Sequence, residues 1–474
     1  MVNLIDKIIE KKIILSILIL AFLLRLINLN QSFWLDEATS GLVVRNLSYS
    51  EIIAKFSPND FHPPLYYLIL KFWSGIFGSS EIALRSFSLI LGVVSVYLIY
   101  QLGSLLGREV GLVSALFLAV NGLHIYYSQE ARMYILSLFL VLFLFYLYIK
   151  TIESGKNIYW LMFSLFLVLN FLTDYLPNMV ILVLWIYGFL FVRDKKWWLN
   201  FFLSHMPLII FFLVWCPILF KQIGIGLNVK ETGSLWWNIL GRVDLKSISL
   251  VPIKFILGRI SLENKNLYFS LITFLSAFYF ICFLKGFSKK LLKNKNFILL
   301  LYWFFLPFIF SAIIGLFISI FSYFRLIFIL PPFLLIITFL ILNLPKSWKN
   351  IALIFSLTVS IVSALSYLFL PNFHRENWRG LVSEVKKESQ NNFALVFASD
   401  YQREAYQYYG GPKEIVKKDD FLDKKIKRIW YIRYLQDIFD PKDLVKQNIE
   451  NSGYKRGNIY DFNGIIVWEY ENSD

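Results

Sequence analysis

The sequence predicts a polytopic α-helical membrane protein with a small α/β domain at its C-terminal end. Three observations predict it: an apolar composition, apolar runs long enough to span a bilayer, and an abrupt change of composition after Pro371. Hydrophobic residues make up 57% of the 474 residues and aromatic residues 19%, more than a soluble surface tolerates. A hydrocarbon core of about 30 Å is crossed by roughly 20 residues of helix. Helices satisfy their own backbone, so a bundle follows.

Taken in order, apolar helices are expected over 13–29, 84–106, 110–123, 133–149, 159–172, 177–192, 201–220, 267–284, 297–321, 326–342 and 351–370. That makes about eleven crossings. The first run follows a short basic segment as a signal peptide would, but no small-residue cleavage site follows it before Asn30, so it reads as a retained helix. Basic clusters at Lys7, Lys11 and Lys12, at Arg193, Lys195 and Lys196, and from Lys285 to Lys295 read as cytoplasmic under the positive-inside rule. The segments 31–83, 124–132 and 221–266 and the whole tail then lie on the extracytoplasmic side of a plasma (inner) membrane. The expected division is a transmembrane domain over 1–370, whose outer loop 31–83 carries interfacial stretches around 50–56 and 65–77, and a soluble extracytoplasmic α/β domain over 371–474. In that domain 393–399, 428–434 and 465–470 read as strands, and 377–388, 402–409 and 441–452 as helices.

The net charge of +15 does not indicate nucleic acid, because the basic residues sit between apolar runs and form no patch interleaved with exposed aromatics. Cys216 and Cys282 both lie inside apolar runs and have neither disulfide context nor metal-site spacing. No internal repeat is visible, which weakens an inverted-repeat transporter.

Four motifs could carry chemistry. Asp36 and Glu37, in Phe33-Trp34-Leu35-Asp36-Glu37-Ala38, follow the first helix where an aromatic pair marks the interface. One carboxylate there can take the proton of an acceptor hydroxyl while its neighbour orients it or holds a cation; equally, both can sit in the first turn of an interfacial helix. In His62-Pro63-Pro64-Leu65 the paired prolines hold the histidine in place, where it can bond a phosphate or a sugar hydroxyl, or merely begin a helix. The segment Ser128-Gln129-Glu130-Ala131-Arg132-Met133-Tyr134 brings a charged pair to the same side. Arg132 can stabilise a released lipid phosphate through paired hydrogen bonds, or snorkel beside Glu130. Arg325, in Tyr323-Phe324-Arg325-Leu326 ahead of Pro331-Pro332, is a second phosphate candidate; Arg25, Lys221, Lys254 and Arg259 carry a weaker expectation of meeting lipid headgroups.

Together these segments resemble the GT-C glycosyltransferases, in particular the branch that holds protein O-mannosyltransferases and the lipid A aminoarabinose transferase. Asn377-Trp378-Arg379-Gly380 also looks like the start of that family's outer soluble domain. The resemblance implies inverting transfer of a sugar from a polyprenyl-phosphate donor to an acceptor hydroxyl, with Asp36 at the centre. It makes Glu37, His62, Glu130, Arg132, Tyr134 and Arg325 donor or acceptor contacts. The implied partners are the lipid-linked sugar, membrane lipids and a lipid, glycan or protein acceptor. A divalent cation, magnesium or manganese, on Asp36 and Glu37 is left open, since two carboxylates are too few ligands to argue it. Two departures stand out: Leu326 occupies the place of a family tyrosine, and Asn377 that of a frequent aspartate. A flippase or transporter of polyprenyl-linked lipid is the competing reading. It calls for polar or broken helices at mid-membrane, whereas the notable charges here lie at helix ends.

Overall fold

The structure is a computed structural model and describes residues 2–232, 241, 243–388, 392–399, 402–417 and 426–472. Within the expected outer segment 221–266, residues 233–240 and 242 lie outside the described residues.

The apolar runs fold as helices. They are α1 (Val2–Leu26), α2 (Leu35–Asn46), α3 (Leu65–Phe77), α4 (Glu81–Ser104), α5 (Arg108–Ala119), α6 (Gly122–Ser128), α7 (Tyr134–Ser154), α8 (Asn157–Thr173) and α9 (Met179–Phe191). They continue as α10 (Lys195–Thr232), α11 (Leu245–Leu257), α12 (Lys265–Gly286), α13 (Lys295–Gly315), α14 (Leu330–Leu342) and α15 (Lys346–Phe369). Among the described residues six of these, α4, α7, α10, α12, α13 and α15, are long and apolar enough to cross a membrane. A seventh span results if α5 and α6, bent by 61° at their junction, count as one. The runs expected at 159–172, 177–192 and 326–342 form shorter apolar helices. Large apolar side chains stay exposed on α10 (Phe211, Leu213, Val214) and α12 (Phe274, Phe280, Leu284), as lipid-facing surface requires.

Helix α10 has 38 residues and contains Pro207 and Pro217. Its length of about 57 Å, at 1.5 Å per residue, is nearly twice a hydrocarbon core.

The chain divides into two compact units, the first of Met1–Ile27, Ser50–Ile69 and Arg85–Phe369, the second of Asn28–Tyr49, Leu70–Leu84 and Leu370–Asp474. In the first, aromatic rings fill the helix contacts: Phe145 of α7 stacks on Trp303 of α13 with centroids 3.7 Å apart. Helices α4 and α5 meet at glycines, since a Cβ on Gly103 would come within 2.8 Å of Gly111 Cα. The run expected as one helix over 110–123 is broken between α5 and α6, and the break has identifiable causes. Asn121 caps α6 by accepting from the His124 amide at 2.9 Å, and its Nδ2 donates to Phe255 O at 2.8 Å. The fully buried Arg25 donates to the Leu118 and Ala119 carbonyls left open at the end of α5 (3.3 and 3.1 Å).

The second unit is built on a four-stranded sheet of β1 (Phe393–Phe397), β2 (Arg428–Ile432), β3 (Tyr454–Asp461) and β4 (Ile466–Asn472), in spatial order β1-β2-β4-β3. Strands β1 and β2 are parallel, with Leu395 opposite Trp430; β4 runs antiparallel to both of its neighbours. Helices α16 (Trp378–Glu388), α17 (Arg403–Tyr408) and α18 (Leu444–Asn451) accompany it. Ala394, Val396, Ile429, Tyr431, Ile449 and Tyr470 form its core. The three expected strands are present. Edge strand β3 was not expected, because residues 455–459 are exposed and lack the alternation that marks a half-buried strand.

Candidate functional site

In the first unit the polar residues gather around the turn before α3. Ser57-Pro58-Asn59 forms a 3-10 turn with proline at its start, and Pro63-Pro64 leads into α3. Between them lie Asp60 and His62. Arg132, in the connection from α6 to α7, donates to Tyr67 Oη at 2.9 Å, and Tyr67 in turn donates to Asp60 Oδ2 at 2.9 Å. From α10, Gln222 donates to Ser57 O at 2.6 Å and to His62 O at 3.4 Å, while accepting from Tyr175 Oη at 2.5 Å. The part of α10 beyond the expected 201–220 thus fastens the His62 turn.

Arg325 precedes the 3-10 turn Ile327–Ile329 that leads into α14, and donates one Nη to Ser319 O at 2.5 Å. Its remaining N–H donors have no hydrogen-bond partner among the described residues. The His62 ring nitrogen Nδ1 is out of water and likewise without a partner there. Burial first, and then the charges of Arg132 and Arg325, hold the His62 imidazole well below its ordinary pKa, so the ring is neutral. Tyr134 packs edge-on against Phe324, centroids 5.7 Å apart, and against Tyr127 at 5.1 Å. Glu130 is buried within electrostatic reach of Arg259 and Tyr127. Arg259 lies over the Tyr126 ring at 4.4 Å and donates to its hydroxyl.

The structure therefore brings His62, Arg132 and Arg325 together, with Glu130 in the same connection as Arg132 and Tyr134 at the start of α7. Sequence reasoning missed Tyr67 and Gln222, whose roles depend on contacts across 47 to 165 positions of chain. Arg25 and Lys254 do not meet headgroups. Arg25 is fully buried and spends its guanidinium on carbonyls, Ser128 Oγ (3.1 Å) and His124 Nδ1 (2.6 Å); Lys254 Nζ donates to Ile260 O and Ser261 Oγ.

In the second unit Asp36 and Glu37 lie side by side in the first turn of α2, where the helix dipole favours acids. Asp36 is half-buried. Glu37 is wholly buried and accepts from Arg375 Nη1 at 3.1 Å. The Arg375 amide donates to Gln31 Oε1 at 3.0 Å, and Arg379 bonds Asn30 O at 2.8 Å and Glu81 at 2.6 Å. Tyr409 donates to Glu81 at 2.6 Å and accepts from the Phe33 amide at 2.7 Å. Helix α2 packs on α17 at Gly41, where a Cβ would stand 2.5 Å from the Tyr408 ring. The carboxyl of Glu404 on α17 is raised above its ordinary range, by burial and then by the charge of Asp36. Asn377 Oδ1 accepts from the Gly380 amide at 2.9 Å, so the asparagine caps α16 as an aspartate would.

A hard divalent cation takes six or more oxygen ligands. Among the described residues no group of three or more His, Cys, Asp or Glu could hold a metal ion, and Glu37 is engaged by Arg375. The residues present do not fit such an ion.

The bundle and the appended sheet define a helical membrane protein with the fold of GT-C glycosyltransferases. The oligosaccharyltransferase of Archaeoglobus fulgidus in its apo form aligns with TM-score 0.53 at 12% identity, over 97% of this chain and 74% of that one. Archaeal oligosaccharyltransferase AglB from the same organism, in complex with an inhibitory peptide and a dolichol-phosphate, aligns with TM-score 0.50 at 11% identity, over 99% and 75%. ArnT from Cupriavidus metallidurans in the apo state gives TM-score 0.46 at 9% identity, over 99% and 98%. Residues 61–220, about a third of the chain, match the family model described as dolichyl-phosphate-mannose-protein mannosyltransferase. A search of curated proteins by sequence finds no match. The chain resembles the GT-C glycosyltransferases in motif and in fold.

Proposed function

We propose that the protein is an inverting glycosyltransferase that moves a sugar from a polyprenyl-phosphate donor to an acceptor hydroxyl at the extracytoplasmic face of the plasma membrane. About eleven crossings, counting the shorter apolar helices and α1, carry the basic N-terminus inside and the tail outside. In this reading residues 1–370, with the loop 31–83, form the transmembrane domain and 371–474 the extracytoplasmic one. Asp36 takes the acceptor proton as the hydroxyl attacks the anomeric carbon and the carbon–phosphate oxygen bond breaks. Arg132 and Arg325 hold the departing lipid phosphate, which leaves with the bonding electron pair. His62 donates or accepts a hydrogen bond at the same anion, and Glu130 and Tyr134 line the donor side. Glu37 orients α2 through Arg375.

One observation carries the reading: two arginines and a histidine whose Nδ1 lacks a partner converge beside apolar helices. A buried and a half-buried guanidinium gathered at one place call for an anionic ligand. The dolichol-phosphate in the AglB complex supports a ligand of that chemistry. A flippase is less favoured, since these cations lie in connections between helices.

The test is turnover by purified protein in lipid nanodiscs, supplied with a panel of radiolabelled polyprenyl-phosphate sugars and an envelope extract as acceptor. Asp36→Asn should lose about a hundredfold or more in rate while keeping its melting temperature. Near-wild-type transfer by that variant would sink the assignment.

A further inference from the structure

Asp174 is an acidic group of the His62 cluster to which no role has been given. It ends α8, is 7% exposed, and among the described residues its carboxylate is met only by backbone amides, accepting from Leu176 at 3.4 Å and from Tyr175. It makes no direct ion pair among the described residues. Hydrogen bonds tie its turn to the His62 segment, because the adjacent Tyr175 donates to Gln222 and Gln222 donates to His62 O and Ser57 O. Asp174 therefore stands within reach of the same two guanidiniums, Arg325 and Arg132, that act on His62.

A carboxylate withdrawn from water needs either a counter-charge or a proton. A phosphate at these arginines needs the same counter-charge. When the phosphate arrives, the carboxylate is left as a like charge beside it, and the lower-energy state has the carboxyl neutral. We propose that Asp174 is the resident counter-ion of the Arg132 and Arg325 pair, and that it takes up a proton from solvent when an isoprenoid phosphate binds there. The proton returns to solvent when the phosphate leaves. This rests on the phosphate-binding role given above to the two arginines.

The local chemistry agrees. Burial pushes the Asp174 carboxyl up to about 6, against the Leu176 and Tyr175 amides and the pull of Arg325 and Arg132. Two arginines, a histidine, a tyrosine and a second aspartate stand near it. The arginines stay cationic, His62 stays neutral, and Tyr175 is pushed up to about 12 by burial. Asp60, also facing Tyr175, is held by the Tyr67 hydroxyl at 2.9 Å. The sign follows: Asp174 is protonated below about 6 and charged above it, so an anion of fixed charge binds more tightly on the acid side.

The experiment uses the intact protein in nanodiscs and farnesyl sulfate, whose single charge does not change near neutrality; inorganic sulfate serves as the control for the anion alone. Wild-type affinity should fall about tenfold between roughly pH 5 and pH 7.5. Asp174→Asn should bind at the tight, acid-side value throughout, and Asp174→Glu should restore the slope. Should Asp174→Asn fail to fold, calorimetry of wild type in buffers of different ionisation enthalpy reads the same event, as net proton uptake near neutral pH. A slope that persists in Asp174→Asn, or binding without proton uptake, overturns the inference. If Arg132→Ala and Arg325→Ala bind the probe as wild type does, the phosphate-binding reading itself fails.

Discussion

Both units bury charge, and they settle it in opposite ways. In the second unit the buried Glu37 meets Arg375 at 3.1 Å, and nearer the surface Glu81 meets the exposed Arg379 at 2.6 Å, each arginine also spending donors or its amide on the 28–49 segment. In the first unit Asp174 and Arg325 stand in one another's field with no direct ion pair, and His62 Nδ1 has no hydrogen-bond partner among the described residues. Paired charge is architecture, because removing one partner strands the other. Charge gathered without pairing persists at a cost to stability and signals a ligand that supplies the missing counter-charge.

That contrast can be broken by mutation. The largest effect on stability is expected for Arg375→Ala, which leaves the Glu37 carboxylate buried without its guanidinium and should cost about 3–5 kcal/mol, read as a fall in thermal midpoint. Arg325→Ala should do the reverse, leaving the midpoint unchanged or raised while weakening isoprenoid phosphate binding about tenfold or more. Equal destabilisation by the two variants would erase the distinction. At an intermediate scale, Gly41→Val drives a side chain into the Tyr408 ring and should destabilise the second unit by about 1–3 kcal/mol, reduced when Tyr408 is shortened to Leu in the same chain.

The smallest effect tests a group whose folded pKa is raised. Glu404 is an acid that holds its proton more firmly when folded, so its contribution to stability is lost as pH rises above its unfolded value. Glu404→Gln should therefore raise the thermal midpoint by about a degree at neutral pH and leave it unchanged near pH 4. An increase of the same size at both pH values would show that packing of the side chain, and not its ionisation, sets the effect.

Much of the fold was legible because it is written in local periodicity. To within a residue, the runs at 133–149, 267–284 and 351–370 lie inside Tyr134–Ser154, Lys265–Gly286 and Lys346–Phe369. Two errors have local physical reasons. The 110–123 run breaks at Asn121, where a side-chain cap and Arg25 from far earlier in the chain satisfy the freed backbone groups, and hydropathy does not register either. The 201–220 run extends to Thr232 because Lys221 and Gln222 find partners in Asn59 and Ser57, although their polarity marks them as the end of an apolar run. Of the candidate site, Arg132 and Arg325 were legible as cations at the ends of apolar runs. Asp174 was not, since a lone aspartate after a helix reads as a cap until the residues facing it are known. Likewise Glu37 and Asp36 look alike in sequence; Arg375, 338 positions away, separates them.

The arginine that fills the break between α5 and α6 has a consequence for how the chain is made. Arg25 leaves the ribosome with the first helix, while the carbonyls of Leu118 and Ala119 and the ring of His124 that receive it are synthesised 93 to 99 residues later. Until then a cation near the end of α1 is held at lower cost at the interface than in lipid, where an arginine at the centre of a spanning helix costs about 2.5–3.5 kcal/mol. Helix α1 is thus settled only after α5 and α6 have been made, and the bend ahead of Glu130 and Arg132 is completed by a segment of much earlier synthesis.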